Sequence, residues 1–274
     1  MAIEVVLGED PGWALHEAGE FLASDPVQHN LILTLLNARV AYPEPGRYWV
    51  AREDGTVVGV AFQSPLDFFA SLTPMDSGPV AALVEAIVEA GVDLPGVNGE
   101  AGTAARFAGQ WTERRGSGAL PLEGQRIYEL QQAPQGTPAG GHIRQASLDD
   151  LDLVLPWMRD FFAEIGEDER DLELMMERRL EAGHFWLWED GGPVSIAANS
   201  EPVEGVIRVQ AVYTPPERRN RGYAGACVAG LSGRMQEAGH RCVLYTDLGN
   251  PTSNSVYRRI GYRAVAEGLR YRFG

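Results

Sequence analysis

One run of segments in the second half of this chain restricts its fold more than any other: a β-forming stretch, a loop crowded with arginine and glycine, a small-residue helix, and a second apolar stretch. Gly205 to Thr214, "GVIRVQAVYT", is rich in β-branched residues and is expected to be a strand. In "GYAGACVAGLSGRMQEAG", Tyr223, Cys227, Leu231 and Met235 recur every fourth residue, one stripe of a helix that Gly239 ends. "CVLYTD", Cys242 to Asp247, is a short continuous apolar run, as expected of a strand covered on both faces. Two strands joined through a helix need a crossover, so the pair is expected to be parallel. Between the first strand and the helix lies "TPPERRNRGYAG", Thr214 to Gly225. A helix N-terminus carries unpaired N–H groups and the positive end of the helix dipole, so it attracts anions. Gly222 and Ala224 leave the backbone approachable, and Arg219 and Arg221 add a positive field. The segment is expected to hold a pyrophosphate.

These arginines stand out because the chain is acidic, with a formal net charge of −15. That charge argues against nucleic acid as a partner, since phosphate neutralisation needs a basic face, and is compatible with an amine substrate. The sequence contains no lysine; all 23 basic residues are arginine. Schiff-base and pyridoxal chemistry, which need a lysine amine, are thereby excluded, as is a phosphate loop of the Walker type. Hydrophobic residues make up 45% and charged residues 22%, a globular composition, and no apolar stretch is long enough to span a membrane. The start "MAIEVVLGEDPGW" has no basic region before a long apolar run, so a cytoplasmic location without a membrane partner is expected. Cys227 and Cys242 lie in apolar segments without clustered histidines and are expected as core thiols, with no metal site.

"QQAPQGTPAGG", Gln131 to Gly141, carries Pro and Gly without apolar period and reads as a linker. It suggests a first domain over 1–132, a linker over 133–141 and a second domain over 142–274. The halves resemble each other. "RYWVAREDGTVVGVAF" and "HFWLWEDGGPVSIAAN" both show an aromatic strand, an acidic-glycine turn and a second strand, the signal of a β-hairpin. Each half opens with an amphipathic helical region and closes on a short strand, "RIYEL" and "RYRFG".

Arg219, Gly222 and Ala224 fit the pattern R/Q-x-x-G-x-G/A, and "NPTSNSVYRRIGY" downstream offers an Asn and a Tyr on a short helix before a Gly-aromatic pair. Over Gly205 to Tyr262 the chain therefore resembles the GNAT superfamily of N-acetyltransferases. The resemblance implies an α+β fold of two GNAT-like domains, each a mixed, mostly antiparallel sheet flanked by helices. It implies acetyl-coenzyme A as co-substrate and a primary amine of a small molecule or peptide as acceptor, in a monomer or homodimer. Val212, Tyr213 and Thr214 would pair with the pantetheine arm. The amides of Arg219, Asn220, Arg221, Gly222, Tyr223, Ala224 and Gly225 would cradle the pyrophosphate. Asn254 would orient the pantetheine, Asn250 would shape the entrance or contact the cofactor, and Tyr257, also at the cofactor, would be the general acid. A backbone N–H near Val212 would meet the oxyanion.

The strand carries Gln210 where many members of that superfamily have a glutamate, so no general base is assigned; Glu201, Glu204 and His184 are nearby polar groups without a role. A second function class stays open on that ground: an acyl-coenzyme A sensor or regulatory module without catalysis. The first half has no arginine-glycine loop. It offers "SLTPMDSGPV" in its place, and Phe107 where the hydroxyl of Tyr257 would fall. It is expected to be a degenerate GNAT-like domain that either lines an acceptor cleft, through Trp49, Phe68 and Phe69, or shields a sheet edge.

Overall fold

The computed structural model of the protein describes residues 3–136, 139–166 and 171–274. In chain order its elements are β1 (Ile3–Gly8), α1 (Pro11–Ser24), α2 (Asn30–Ala41), β2 (Arg47–Glu53), β3 (Thr56–Gln63), β4 (Ala70–Leu72), α3 (Ser77–Glu89), β5 (Gly96–Glu100), α4 (Ala101–Arg115), β6 (Ala119–Pro121) and β7 (Gln125–Leu130). There follow β8 (His142–Gln145), α5 (Leu151–Ile165), α6 (Leu172–Glu181), β9 (Phe185–Glu189), β10 (Pro193–Asn199), β11 (Val206–Tyr213), α7 (Tyr223–Glu237), β12 (Arg241–Asp247), α8 (Pro251–Ile260) and β13 (Tyr262–Phe273). The fold is α+β, with mixed, mostly antiparallel strands flanked by helices, as the sequence led one to expect. Among the described residues no helix is long and apolar enough to cross a membrane.

The chain forms two compact units, and neither is one continuous piece. The first comprises Met1–Ile127, Thr246–Asn250 and Ala264–Gly274. The second comprises Tyr128–Tyr245 and Pro251–Arg263. In the first unit β1, β2, β3 and β4 pair antiparallel in sequence order, and β4 pairs parallel with β5. The β2–β3 turn is the two-residue Asp54-Gly55 expected from the sequence: Glu53 pairs with Thr56, and both turn residues have positive φ, 49° and 83°. The outer partner of β5 comes from far along the chain. Gly268 to Arg272 of β13 pair antiparallel with Glu100 to Gly96, and β6 pairs with the same stretch. Trp49, Val80, Leu83, Ile87, Val97, Phe107 and Trp111 build the core beneath, with Phe273 stacked on Trp111 at 5.1 Å between ring centroids. Trp49 is thus a core residue at 1% exposure and cannot line a cleft, contrary to the expectation; Phe68 is exposed and Phe69 half-buried.

In the second unit β8, β9, β10 and β11 are antiparallel neighbours, and β11 pairs parallel with β12 as expected of a crossover through α7. Strand β9 shows why both faces are covered. Phe185 and Leu187 pack toward α5 and α6, with Val154, Met158, Met176 and Leu180, while Trp186 and Trp188 face the α7 side. The α7 stripe of Tyr223, Cys227 and Leu231 is buried, and its end is marked by Gly239 at φ 87°. Both cysteines are core thiols, and burial pushes both up, Cys242 to about 12. Tyr128 and Leu130, from β7, belong to this unit's core, and Glu129 pairs with Arg241 of β12 at 2.7 Å. The segment suggested as a linker includes residues 137 and 138, outside the described residues. Its flanks are held to the second unit: Gln135 N donates to Ile260 O at 2.7 Å, and Trp188 Nε1 to Gly140 O at 2.8 Å.

Candidate functional site

The parallel pair at the centre of the second unit comes apart. Val206 to Val209 pair with Arg241 to Leu244, and the next rung, Gln210 with Tyr245, is not formed. The strands nevertheless run on to Tyr213 and Asp247. A bulge on the other side of β11 accounts for the divergence. Gln210 pairs with Ala198 and Tyr213 with Ile196, so two residues of β11, Ala211 and Val212, oppose the single Ala197. Ala211 takes a φ of 49°, a left-handed conformation that costs an alanine about 1–2 kcal/mol. A bulge bends its strand and raises the local twist. Here it turns β11 away from β12 and leaves an open slot between them, level with Gln210 to Tyr213.

The slot leads to the start of α7. After Tyr213 the chain makes a single 3-10 turn at Pro216–Arg218, then passes through Asn220 at φ 63° and Gly222 at φ 83° before the helix begins. The first bond inside the helix runs from Ala226 N to Gly222 O, at 3.0 Å. Among the described residues the amides from Asn220 to Gly225 have no backbone or side-chain acceptor. Consecutive amides with left-handed residues among them form a concave donor set suited to an anion, reinforced by the helix dipole. Gly222 is required by its φ and not by crowding: a Cβ there would lie 3.7 Å from the Ala139 Cβ, an ordinary contact.

The side chains of this loop brace it. Arg219 donates Nε to Thr214 O at 2.8 Å and Nη2 to Glu164 of α5 at 2.5 Å, and its guanidinium lies over the Tyr213 ring at 5.6 Å. Tyr213 in turn donates its hydroxyl to Asp160 at 3.3 Å, and burial, with the negative charge of that carboxylate, pushes its phenol up. Tyr223 donates to Asp190 at 2.5 Å, which holds its phenol above the ordinary value. Ser195, fully buried on β10, donates to Tyr213 O at 2.9 Å and shares a bond with Thr214 Oγ1 at 2.8 Å. The carbonyls of Tyr213 and Thr214 are therefore already engaged inside the protein. Ser195 carried no sequence signal.

Helix α8 brings up two of the remaining residues. Asn254 is buried and accepts from the Tyr128 hydroxyl at 3.0 Å. Tyr257, one turn on, packs beside Tyr128 and Tyr262 with centroids at 6.5 and 6.2 Å. Burial pushes its phenol up to about 12, and a bond with Ser253 pulls the other way, so at neutral pH it holds its proton. Asn250 is exposed in the turn before α8, its N bonded to Asp247 O at 3.1 Å, in the segment that clusters with the first unit. Gln210 accepts from Arg208 Nε at 3.3 Å. His184 pairs with Glu201 at 3.2 Å, and burial keeps its imidazole below the usual value. Among the described residues no group of three or more His, Cys, Asp or Glu is arranged for a metal.

The matching stretch of the first unit is closed. Strands β4 and β5 stay paired to the end of β4, at Leu72 and Gly99. In the loop that follows, Met75 N donates to Thr103 Oγ1 at 3.0 Å, and Met75 O accepts from Arg106 Nη2 at 2.6 Å. Glu100 takes the Gly102 and Thr103 amides at the start of α4, both at 2.8 Å. Burial would raise this carboxyl, but the amide bonds outweigh it and hold the group below its ordinary value. The strand pair here does not part as β11 and β12 do, and Phe107 is a core residue at 0% exposure.

Residues 196–271 match the family of FR47-like proteins. Solved structures share the fold over almost the whole chain. An acetyltransferase from the GNAT family of Colwellia psychrerythraea superposes with a TM-score of 0.63 at 11% identity, covering 100% of both chains. A GCN5-related N-acetyltransferase from Sphaerobacter thermophilus gives 0.61 at 15% identity, covering 98% of this chain and 95% of that one. A Drosophila protein gives 0.65 at 13% identity, covering 97% and 99%. No curated protein matches the sequence.

Proposed function

We propose that this chain, a GNAT-superfamily protein by its fold and by the FR47-like match over residues 196–271, transfers an acetyl group from acetyl-coenzyme A to a primary amine of a small molecule or peptide. The observation that carries the proposal is the slot between β11 and β12 opening onto the unpaired amides of Asn220 to Gly225. A phosphate ester on an extended thiol arm fits such a site: the amides and the α7 dipole take the diphosphate, and the parted strands accept the arm as an added strand would. The backbone donors and acceptors of β11 on the slot side, around Val212, are the natural partners of the arm. Asn254, buried on α8, would orient the arm.

In the transfer the neutral amine attacks the thioester carbonyl, the C–N bond forms and the C–S bond breaks. A backbone N–H near Val212 stabilises the oxyanion in between. Tyr257 gives its proton to the departing thiolate and recovers one from solvent, while the ammonium proton leaves to water. A phenol raised to about 12 is a proton donor at any working pH. Division of labour between 142–274 as the acetylating part, 133–141 as linker and 1–132 as a degenerate GNAT-like part belongs to the same proposal. So do a working unit of one or two copies, a cytoplasmic site of action, and no nucleic-acid or membrane partner.

The test is calorimetric titration with acetyl-coenzyme A, followed by thiol release over a panel of amines. Absence of any coenzyme affinity would end the proposal. A second function, an acyl-coenzyme A sensor without catalysis, is favoured by one feature: β11 offers Gln210, engaged with Arg208, and no carboxylate. Coenzyme binding without thiol release for any amine would select it; turnover that Tyr257→Phe abolishes would exclude it.

A further inference from the structure

The amides from Asn220 to Gly225 hang between two side-chain anchors, and each anchor ends on a carboxylate. On the near side Arg219 donates Nη2 to Glu164 at 2.5 Å and Nε to Thr214 O at 2.8 Å, which closes the chain from Thr214 to Arg219 into a ring. Bonds from Arg218 N to Pro215 O and from Arg219 N to Pro216 O tighten that ring from within. On the far side Tyr223 donates its hydroxyl to Asp190 Oδ2 at 2.5 Å, in the turn between β9 and β10. Between the anchors lie Asn220 and Gly222, the left-handed residues that give the amides their concave arrangement.

Glu164 does not act alone. It stands four residues after Asp160, so both carboxylates lie on one face of α5. Asp160 accepts from the Tyr213 hydroxyl at 3.3 Å, and the Arg219 guanidinium lies over the Tyr213 ring. Helix α5 therefore grips the chain twice: where β11 ends, and one residue before the first open amide. Charge does not explain these contacts. A carboxylate beside a diphosphate repels it, and Glu164 also neutralises Arg219, the cation next to the amides. What the two carboxylates supply is a fixed backbone, and donors already held in their binding arrangement take an anion without a further ordering cost.

Resting on the coenzyme site proposed above, we infer that Glu164 and Asp190 are positioning residues for the diphosphate. Each holds one end of the amide set, Glu164 through Arg219 and Asp190 through Tyr223, and the Arg219 guanidinium serves as a brace and not as a phosphate ligand.

The experiment measures affinity for coenzyme A and for ADP, a diphosphate without the thiol arm, in the full chain and its variants. By charge alone, removing a carboxylate about 10 Å from the diphosphate would tighten binding about twofold. Positioning has the opposite sign. Glu164→Gln and Asp190→Asn are each expected to weaken both ligands by about three- to tenfold, the scale of one net hydrogen bond. The KM for acetyl-coenzyme A should rise by the same factor, with kcat at saturating coenzyme and the urea midpoint unmoved; general damage to the fold would shift that midpoint. Arg219→Gln should lose no more than Glu164→Gln, and the double variant no more than either, since all three remove one contact. Unchanged or tighter binding in Glu164→Gln and Asp190→Asn, additive losses, or a loss confined to Arg219→Gln would each overturn the inference. The two ligands keep the proposals apart. A chain that binds ADP but not acetyl-coenzyme A ends the acetyl-transfer proposal, and its variants still decide this one; a chain that binds neither overturns both.

Discussion

The hydroxyl of Tyr128 donates to Asn254 Oδ1 at 3.0 Å across 126 positions of sequence, and both side chains are buried. Tyr128 lies on β7, where the first half of the chain ends, and Asn254 lies on the helix that carries Tyr257. Removing the donor with Tyr128→Phe takes a buried bond from Asn254. Stability is expected to fall by about 1–2 kcal/mol in urea unfolding. Coenzyme affinity is expected to weaken with it, since Asn254 would lose one of the bonds that orient it; an unchanged affinity would detach Asn254 from the arm.

Gly222→Ala separates conformation from bulk at the anion loop. The added methyl finds ordinary space, but φ 83° opposes it by about 1–2 kcal/mol. Coenzyme affinity should drop by about tenfold or more, the same energy read as binding, while far-UV circular dichroism stays that of the wild type.

Tyr257→Phe should lower turnover by about two to four orders of magnitude with coenzyme affinity retained. The direction of the phenol's shift fixes the pH profile. Raised to about 12, Tyr257 stays protonated as pH rises through 8 to 10, so the wild-type rate should show no alkaline decline from this group in that range. A decline there that disappears in Tyr257→Phe would contradict the placement of its hydroxyl in a dry environment.

Glu100 makes an acid-side prediction for the first unit. Its carboxyl is held below its ordinary value of 4.5, so the folded state favours the charged form. That contribution is full above 4.5 and is lost as pH falls through the lower, folded value. Glu100→Gln should cost of the order of 1 kcal/mol at neutral pH, the usual worth of an N-cap. The difference between variant and wild type should shrink as pH drops below about 4 in unfolding series, where the wild-type carboxyl also becomes neutral.

A chain shortened by Ala264–Gly274 tests the pairing of β13. It loses the partner of Gly96 to Glu100 and the Phe273 ring from the Trp111 stack. Limited proteolysis should then cut within Met1–Ile127 first; resistance equal to that of the full chain would show that this pairing contributes little.

Much of this was readable beforehand. The Asp54-Gly55 turn, the every-fourth-residue stripe of α7 and the glycine at 222 each follow from a local rule that one residue type satisfies best. What could not be read is set by partners remote in sequence. Alanine at position 211 gives no sign of a positive φ, so the bulge that opens the slot was invisible, as was the use Ser195 makes of Tyr213. Trp49 was expected near a cleft because aromatics suit both cores and surfaces; only the packing under β2 decides. Likewise "RIYEL" and "RYRFG" announce strands, but a two-residue period does not say which sheet a strand will join.

That last point bears on how the protein is made. The sheet of the unit begun at β1 waits for Gly268 to Arg272, so a nascent chain holds an open β5 edge until those residues, about 170 positions after β5, have left the ribosome. Throughout that interval Gly96 to Glu100 present an unfilled edge to any neighbouring polypeptide, and a premature stop anywhere downstream would make the exposure permanent.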